Sequence, residues 1–193
     1  MNNNYAGNAA VYLISTIFTL YLSLVMLRFL LQLVRADFHN PLSQFVVKAT
    51  NPPLRLLRRV IPGLGGIDLA SIVLMGALQV LMIWLIHLAN FQAVNFSGIL
   101  LMALAELISL MLNIFLVAII AQVILSWVAP QGYNPIISLI YSLTEPVLRP
   151  ARRILPPISG IDFSPLLVFL VMQLIKILLI APIADLGRSL GYT

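Results

Sequence analysis

Four stretches of this chain stay apolar for about the 20 residues that a helix needs to cross a hydrocarbon layer; two of the three segments between them are polar, proline-rich and basic. Ala9 to Leu27 is uncharged, and its apolar run continues past Arg28 to Val34. The second stretch covers about 69–89, with His87 near its end; the third covers about 98–128, with Glu106 inside it; the fourth covers about 163–184, with Lys176 inside it. Each predicts a membrane-spanning helix. The third is long for a single crossing, which predicts tilt or extension beyond the bilayer.

Composition agrees with that pattern. Of the 193 residues 61% are hydrophobic and 9% charged, against roughly 25% charged in a soluble domain. So few charges cannot cover a water-facing surface. There is no cysteine, which removes disulfides, thiolate metal sites and cysteine nucleophiles. The N-terminal Met1–Val11 carries no Lys or Arg, so a cleaved signal peptide is not expected.

The basic residues are unevenly placed. Two long connections, roughly 35–67 and 129–162, hold eight of the eleven Lys and Arg: Arg35, Lys48, Arg55, Arg58, Arg59, Arg149, Arg152 and Arg153. Four spans put both connections on one side. Basic loops stay in the cytoplasm, so both connections are expected there and both termini outside.

Those two connections are copies of each other. A shift of 94 residues superimposes Asn40-Pro41 on Asn134-Pro135, Thr50 on Thr144, Pro52 on Pro146, Pro62 on Pro156 and Gly66-Ile67-Asp68 on Gly160-Ile161-Asp162. The same shift carries Arg55, Arg58 and Arg59 onto Arg149, Arg152 and Arg153, and Gln79 onto Gln173. The expected fold is an all-α membrane protein of about four transmembrane helices, made of two parallel two-helix repeats over 1–95 and 96–193. An even span count keeps duplicated units in the same orientation.

Within each connection Asn40 or Asn134 is expected to cap a helix that has proline at its first position. Leu42, Phe45, Val46 and Ala49, and likewise Ile136, Leu139, Ile140 and Leu143, share a helical face suited to the membrane interface. Pro52-Pro53 and Pro146 are expected to break the helix. Beyond the break the three arginines stand at i, i+3 and i+4 and project from one face. They are candidates for docking on anionic lipid headgroups or on an acidic partner, or they simply fix the loop's side. Asp68 and Asp162 precede apolar spans, where a carboxylate caps a helix or pairs with an arginine of its own loop.

Ionisable groups within a span are functional candidates. Arg28, whose repeat counterpart is Gln122, lies near a span end and is expected to snorkel to the interface. Glu106 and Lys176 fall at similar depths in the second repeat and are expected to form an ion pair. Gln79 and Gln173 are placed to hydrogen-bond between helices. No phosphate loop, metal-ligand cluster or nucleophile constellation stands out, so neither enzymatic activity nor a cofactor is expected, and no nucleic-acid partner either.

The strings NPLSQFVVKATNPPLRLLRRVIPGLGGID and NPIISLIYSLTEPVLRPARRILPPISGIDFSP resemble the signature loop of the YggT family, also called YlmG. The second copy resembles it more fully, through Thr144, Pro146, Arg149, Pro150, Arg152, Arg153, Pro156, Gly160, Asp162 and Pro165; the first has Leu56 in place of Pro150. The resemblance implies a bacterial inner-membrane protein without a settled biochemical activity. It further implies links to osmotic tolerance, potassium uptake and cell division, and, through plastid relatives, to assembly of a haem-bearing cytochrome. His39 falls on Tyr133, so the repeats share no histidine that could serve as an axial ligand. The expected function is therefore a non-enzymatic scaffold or assembly factor, with membrane lipids, membrane proteins and a second copy as partners. The alternative is an oligomeric ion channel or transport component.

Overall fold

The structure, a computed structural model, describes residues 5–90, 95–128, 134–157 and 162–191. Among the described residues the regular elements are all helices, with no β-strand. They are α1 (Tyr5–Leu33), α2 (Pro41–Leu57), α3 (Leu69–Ala89), α4 (Phe96–Val128), α5 (Pro135–Ile154), α6 (Ser164–Ile175), a π-helical turn (Lys176–Ile180) and α7 (Ala181–Gly191). α1, α3, α4 and the run from Ser164 to Gly191 are long and apolar enough to cross a membrane. Their exposed faces carry side chains such as Ile17, Leu20, Val117, Ile124, Leu178 and Leu179, as lipid contact requires.

α1 packs against α3, α4 against α7, and α3 against α4, which joins the two halves. The shared core draws Leu22, Val25 and Leu30 from α1, Met75 and Met82 from α3, and Leu116 and Ile119 from α4. The amphipathic helices α2 and α5 close the same end of the bundle. Leu54 of α2 and Leu148 of α5 are fully buried in that core.

Each amphipathic segment is one continuous helix, which corrects the expected break at proline. α2 runs through Pro52 and Pro53, and α5 through Pro146 and Pro150. An interior proline removes a backbone bond and crowds the preceding turn, at a cost of about 3 kcal/mol. Here Pro52, Pro146 and Pro150 lie on the exposed face. The buried face is continuous across them: Ser43, Val46, Thr50 and Leu54 in α2, and Leu139, Leu143, Thr144, Leu148 and Ala151 in α5. Packing on both sides of each proline holds the helix together. The apolar face is divided, since Val46 is buried whereas Leu42 and Phe45 stay partly exposed.

The fourth span is longer than the sequence pattern indicates and is not a uniform α-helix. Its π turn lies just before Pro182, and the Ala181 N–H reaches back to the Lys176 carbonyl. Proline cannot complete the regular ladder, and a local widening absorbs the defect. At the opposite end from α2 and α5, α4 and α7 meet through glycine. A Cβ on Gly98 would lie 2.5 Å from the Gly191 Cα, and one on Gly187 would lie 2.9 Å from Met102. Gly187-Arg188-Ser189-Leu190-Gly191 is a small-xxx-small pattern that lets backbones touch.

The end of α1 carries a further local feature. The Ala36 N–H bonds to the Leu31 carbonyl (2.9 Å) and the Arg35 N–H to that of Gln32 (3.1 Å), a Schellman closure. The position that needs positive φ is Arg35, at 54°. Glycine would fill it without the roughly 1–2 kcal/mol that an L side chain costs in this region.

Candidate membrane-interface site

Asn40 and Asn134 cap their helices as expected. Each side-chain oxygen accepts from the backbone N–H two residues on, Leu42 or Ile136, at 2.9 Å. Asn40 does more than its counterpart, because its amide nitrogen also donates to the Pro135 carbonyl at 2.5 Å. The two amphipathic helices are thus joined start to start across the boundary between repeats.

The arginine triplets separate into two kinds. Arg58 donates from Nε and Nη2 to the two oxygens of the Asp68 carboxylate, and Ser71 donates its hydroxyl to the same carboxylate at 2.5 Å. In the second repeat Arg152 Nε lies 2.9 Å from Asp162, and its Nη1 reaches Glu145 at 2.8 Å. The middle arginine of each triplet is therefore a latch that holds the returning chain under its helix. Gly65 and Gly66, with φ of 61° and 87°, make the first of these returns possible. Arg55, Arg59, Arg149 and Arg153 remain exposed. Among the described residues no carboxylate lies within ion-pair distance of these four. In the first repeat the expectation that all three arginines stand on one helical face is corrected: the helix ends at Leu57, and Arg58 turns back toward Asp68; in the second all three lie within α5.

Both aspartates stand at the mouth of a span. Asp68 occupies the cap position of α3 and is buried. Asp162 accepts from the Ser164 backbone N–H at 2.9 Å, at the start of α6. Burial pushes the Asp68 carboxyl up, but the hydrogen bonds from Arg58 and Ser71 outweigh it and leave the group below the ordinary carboxylate range. Asp162 behaves alike: desolvation raises it, and bonds from Ser164 and Arg152 bring it down.

Beneath each latch lies a second contact that the repeats share. Arg28 is buried (5% exposed) and donates to the Thr50 hydroxyl at 2.9 Å and to the Asn51 side chain at 3.4 Å. It does not snorkel, because α2 covers the end of α1 and supplies the acceptors there. At the corresponding places the Thr144 hydroxyl is hydrogen-bonded to the Gln122 side chain. Thr50 and Thr144 are both fully buried. Their match between repeats is visible in the sequence, but their partners lie 22 residues upstream and only the packing identifies them. In the second repeat a cavity of about 670 Å³ lies beside Gln122, Tyr141, Arg152 and Asp162.

The expected Glu106–Lys176 ion pair does not form. Gln79 donates to Glu106 between α3 and α4, whereas Lys176 donates to Asn113 between the π turn and α4. Glu106 and Asn113 are two turns apart on α4, about 10 Å, so the two polar contacts are made at different levels of that helix. Thr19, Gln79, Glu106, Ser109 and Asn113 line a polar cavity of about 170 Å³ inside the spans. Gln173 is half-buried on α6. Gly160, Ile161 and Tyr133, part of the repeat comparison, lie outside the described residues.

The family model described as CCB3/YggT matches residues 7–89 and again 101–183, in the register of the internal repeat. An uncharacterized protein of Pseudomonas aeruginosa is 50% identical over 180 residues, covering 92% of this chain and 91% of that one. The uncharacterized protein YggT of Escherichia coli K12 is 40% identical over 171 residues, covering 88% of each. A chloroplastic YlmG homolog protein 2 of Arabidopsis thaliana is 34% identical over 62 residues, 32% of this chain and 24% of that one. No solved structure matches the chain.

Proposed function

Because this chain belongs to the CCB3/YggT family and carries two copies of its unit on four membrane-crossing helices, we propose that it is a non-enzymatic scaffold or assembly factor of the bacterial inner membrane. It docks on anionic lipid headgroups, and through them gathers membrane partners, with α2 and α5. One observation carries this reading. In both repeats the middle arginine is engaged by an aspartate, and the flanking Arg55, Arg59, Arg149 and Arg153 stand exposed at one end of the bundle. A purely topological role needs only charge in the segment; a latch that fixes the helix end and leaves two arginines outward also serves a surface. Basic residues cluster on the cytoplasmic side, which puts α2 and α5 there and both termini in the periplasm. The osmotic and cell-division roles implied by the family resemblance follow, on this reading, from assembly at that surface.

Energy transfer from labelled protein in nanodiscs to headgroup-labelled anionic lipid tests the proposal. Each arginine contributes about 1 kcal/mol against an anionic leaflet. Replacing Arg55, Arg59, Arg149 and Arg153 by Gln is expected to remove the local enrichment, as is high salt. Unchanged enrichment in that variant overturns the proposal.

The polar cavity at Glu106 favours a second reading, an oligomeric ion channel or transport component. Potassium flux into liposomes discriminates the two. Flux that Glu106→Gln or Lys176→Met abolishes establishes the channel; no flux in the wild type leaves the scaffold.

A further inference from the structure

A cleft of about 380 Å³ separates the two repeats at the end covered by the amphipathic helices. Its walls are Leu27 and Leu31 of α1, Leu42 of α2, Ile114 and Ala121 of α4, and Leu139 of α5. Except for Ser23 and Asn113 its lining is apolar, and it is open rather than enclosed. Along α4 the lining runs from Leu110 to Ala121, about 16 Å at the helical rise. That is close to one leaflet of a hydrocarbon layer about 30 Å thick. Leu42 also borders a second cavity, lined by Asn40, Pro41, Phe45, Asn134 and Ile136, so the space continues toward the polar interface.

A charge lies next in the chain to the cleft wall. Leu31 and Leu139, both in the cleft wall, pack on Ala36, and the preceding residue is Arg35. Arg35 is exposed, and among the described residues no carboxylate lies within ion-pair distance of it. The nearby Asp37 accepts instead from the backbone and ring of His39. Arg35 also holds the positive-φ position that glycine fills more easily, so the structure retains a cation there at the expense of local geometry. Such an outlier is a starting point for a functional inference.

We propose that the cleft holds one acyl chain of an anionic glycerophospholipid from the leaflet on the α2 and α5 side, with its phosphate at Arg35. The site does not depend on the exposed arginine surface: its walls are largely apolar, and none of Arg55, Arg59, Arg149 and Arg153 lines it.

The chain has no cysteine, so Ile124→Cys provides a single attachment point. Ile124 is exposed, one turn beyond Ala121 on the same face of α4. A bimane label there is read in bilayers doped with chain-brominated phosphatidylglycerol or chain-brominated phosphatidylcholine. The brominated phosphatidylglycerol is expected to quench at a roughly fivefold lower mole fraction, the factor one arginine supplies at an anionic surface. Adding Arg35→Gly, which suits the backbone and removes the charge, is expected to abolish the difference; Arg35→Lys is expected to keep it. Equal quenching by the two lipids in the unaltered background, or no quenching by either, overturns the proposal, as does a preference that survives Arg35→Gly. Replacing Arg55, Arg59, Arg149 and Arg153 by Gln is expected to leave the preference intact. Its loss in that variant overturns the Arg35 site and leaves the surface-docking proposal standing.

Discussion

Arg152 Nε lies 2.9 Å from the Asp162 carboxylate, across the connection that returns from α5 to the last span. Arg58 and Asp68 close the first repeat in the same way. The partners stand 10 residues apart in each case, so the latch fixes where an amphipathic helix ends and where a span begins. It gives the polar residues of the repeat a mechanical role.

The two latches differ in burial, and their removal should differ in effect. Asp68 is 4% exposed at its side chain and Asp162 33%. Losing a partner leaves polar groups unsatisfied, at about 1–3 kcal/mol where they are buried, and an exposed pair contributes about 0–1 kcal/mol. Asp68→Asn should therefore lower the thermal midpoint in detergent more than Asp162→Asn does. The reverse order would contradict the latch geometry.

Acid should loosen both. The folded-state pKa of each aspartate lies below its ordinary value, so the unfolded chain binds protons more readily. The stabilisation is complete above the unfolded carboxylate pKa of about 4 and is lost as pH falls through the lowered folded value. Thermal midpoints measured downward from neutral pH should fall for the wild type in that window, and fall less for the double variant Asp68→Asn/Asp162→Asn.

Arg28 and Gln122 meet equivalent threonines, so the second repeat supplies a natural substitute. Arg28→Gln should reduce stability by no more than about 1 kcal/mol, the net contribution of one ordinary hydrogen bond. Arg28→Leu, which leaves the buried Thr50 and the Asn51 amide without this donor, should cost about 1–3 kcal/mol. Equal losses in chemical denaturation would show that the arginine acts by bulk alone.

Glycine at the α4–α7 crossing is set by distance. Gly98→Ala places a Cβ 2.5 Å from the Gly191 backbone, where neither helix has a side chain to move aside. Overpacking of this kind costs typically about 1–3 kcal/mol. Gly76 provides the control, since a Cβ added there meets nothing within 4 Å. Gly76→Ala should be neutral or stabilising, because glycine inside a helix is worse than alanine by about 1 kcal/mol. Paired unfolding curves decide the matter.

The four spans, the duplication and the pairing of amphipathic segments at one end are all legible in the order of residues alone. Apolar run length and a gapless polar repeat are local or one-dimensional signals, and the bilayer admits few alternatives to helices. The asparagine caps were legible for the same reason, since a cap acts two residues away. The aspartate–arginine latch was readable as one of two options, because the partners share a loop. Features whose partners sit on different elements had to await the packed bundle. α2 and α5 continue through their prolines because buried residues on both sides hold them. Arg28 is buried because another helix covers it. Glu106 finds Gln79 and Lys176 finds Asn113 because the relative shift of neighbouring helices comes from packing, which counting residues from a span's end does not specify. Gly187-x-x-x-Gly191 was present as a pattern, but only the position of Gly98 opposite it gives the pattern a partner. In a chain so uniformly apolar, the hydrophobic effect selects the spans, and close packing together with a few buried polar bonds selects how they meet.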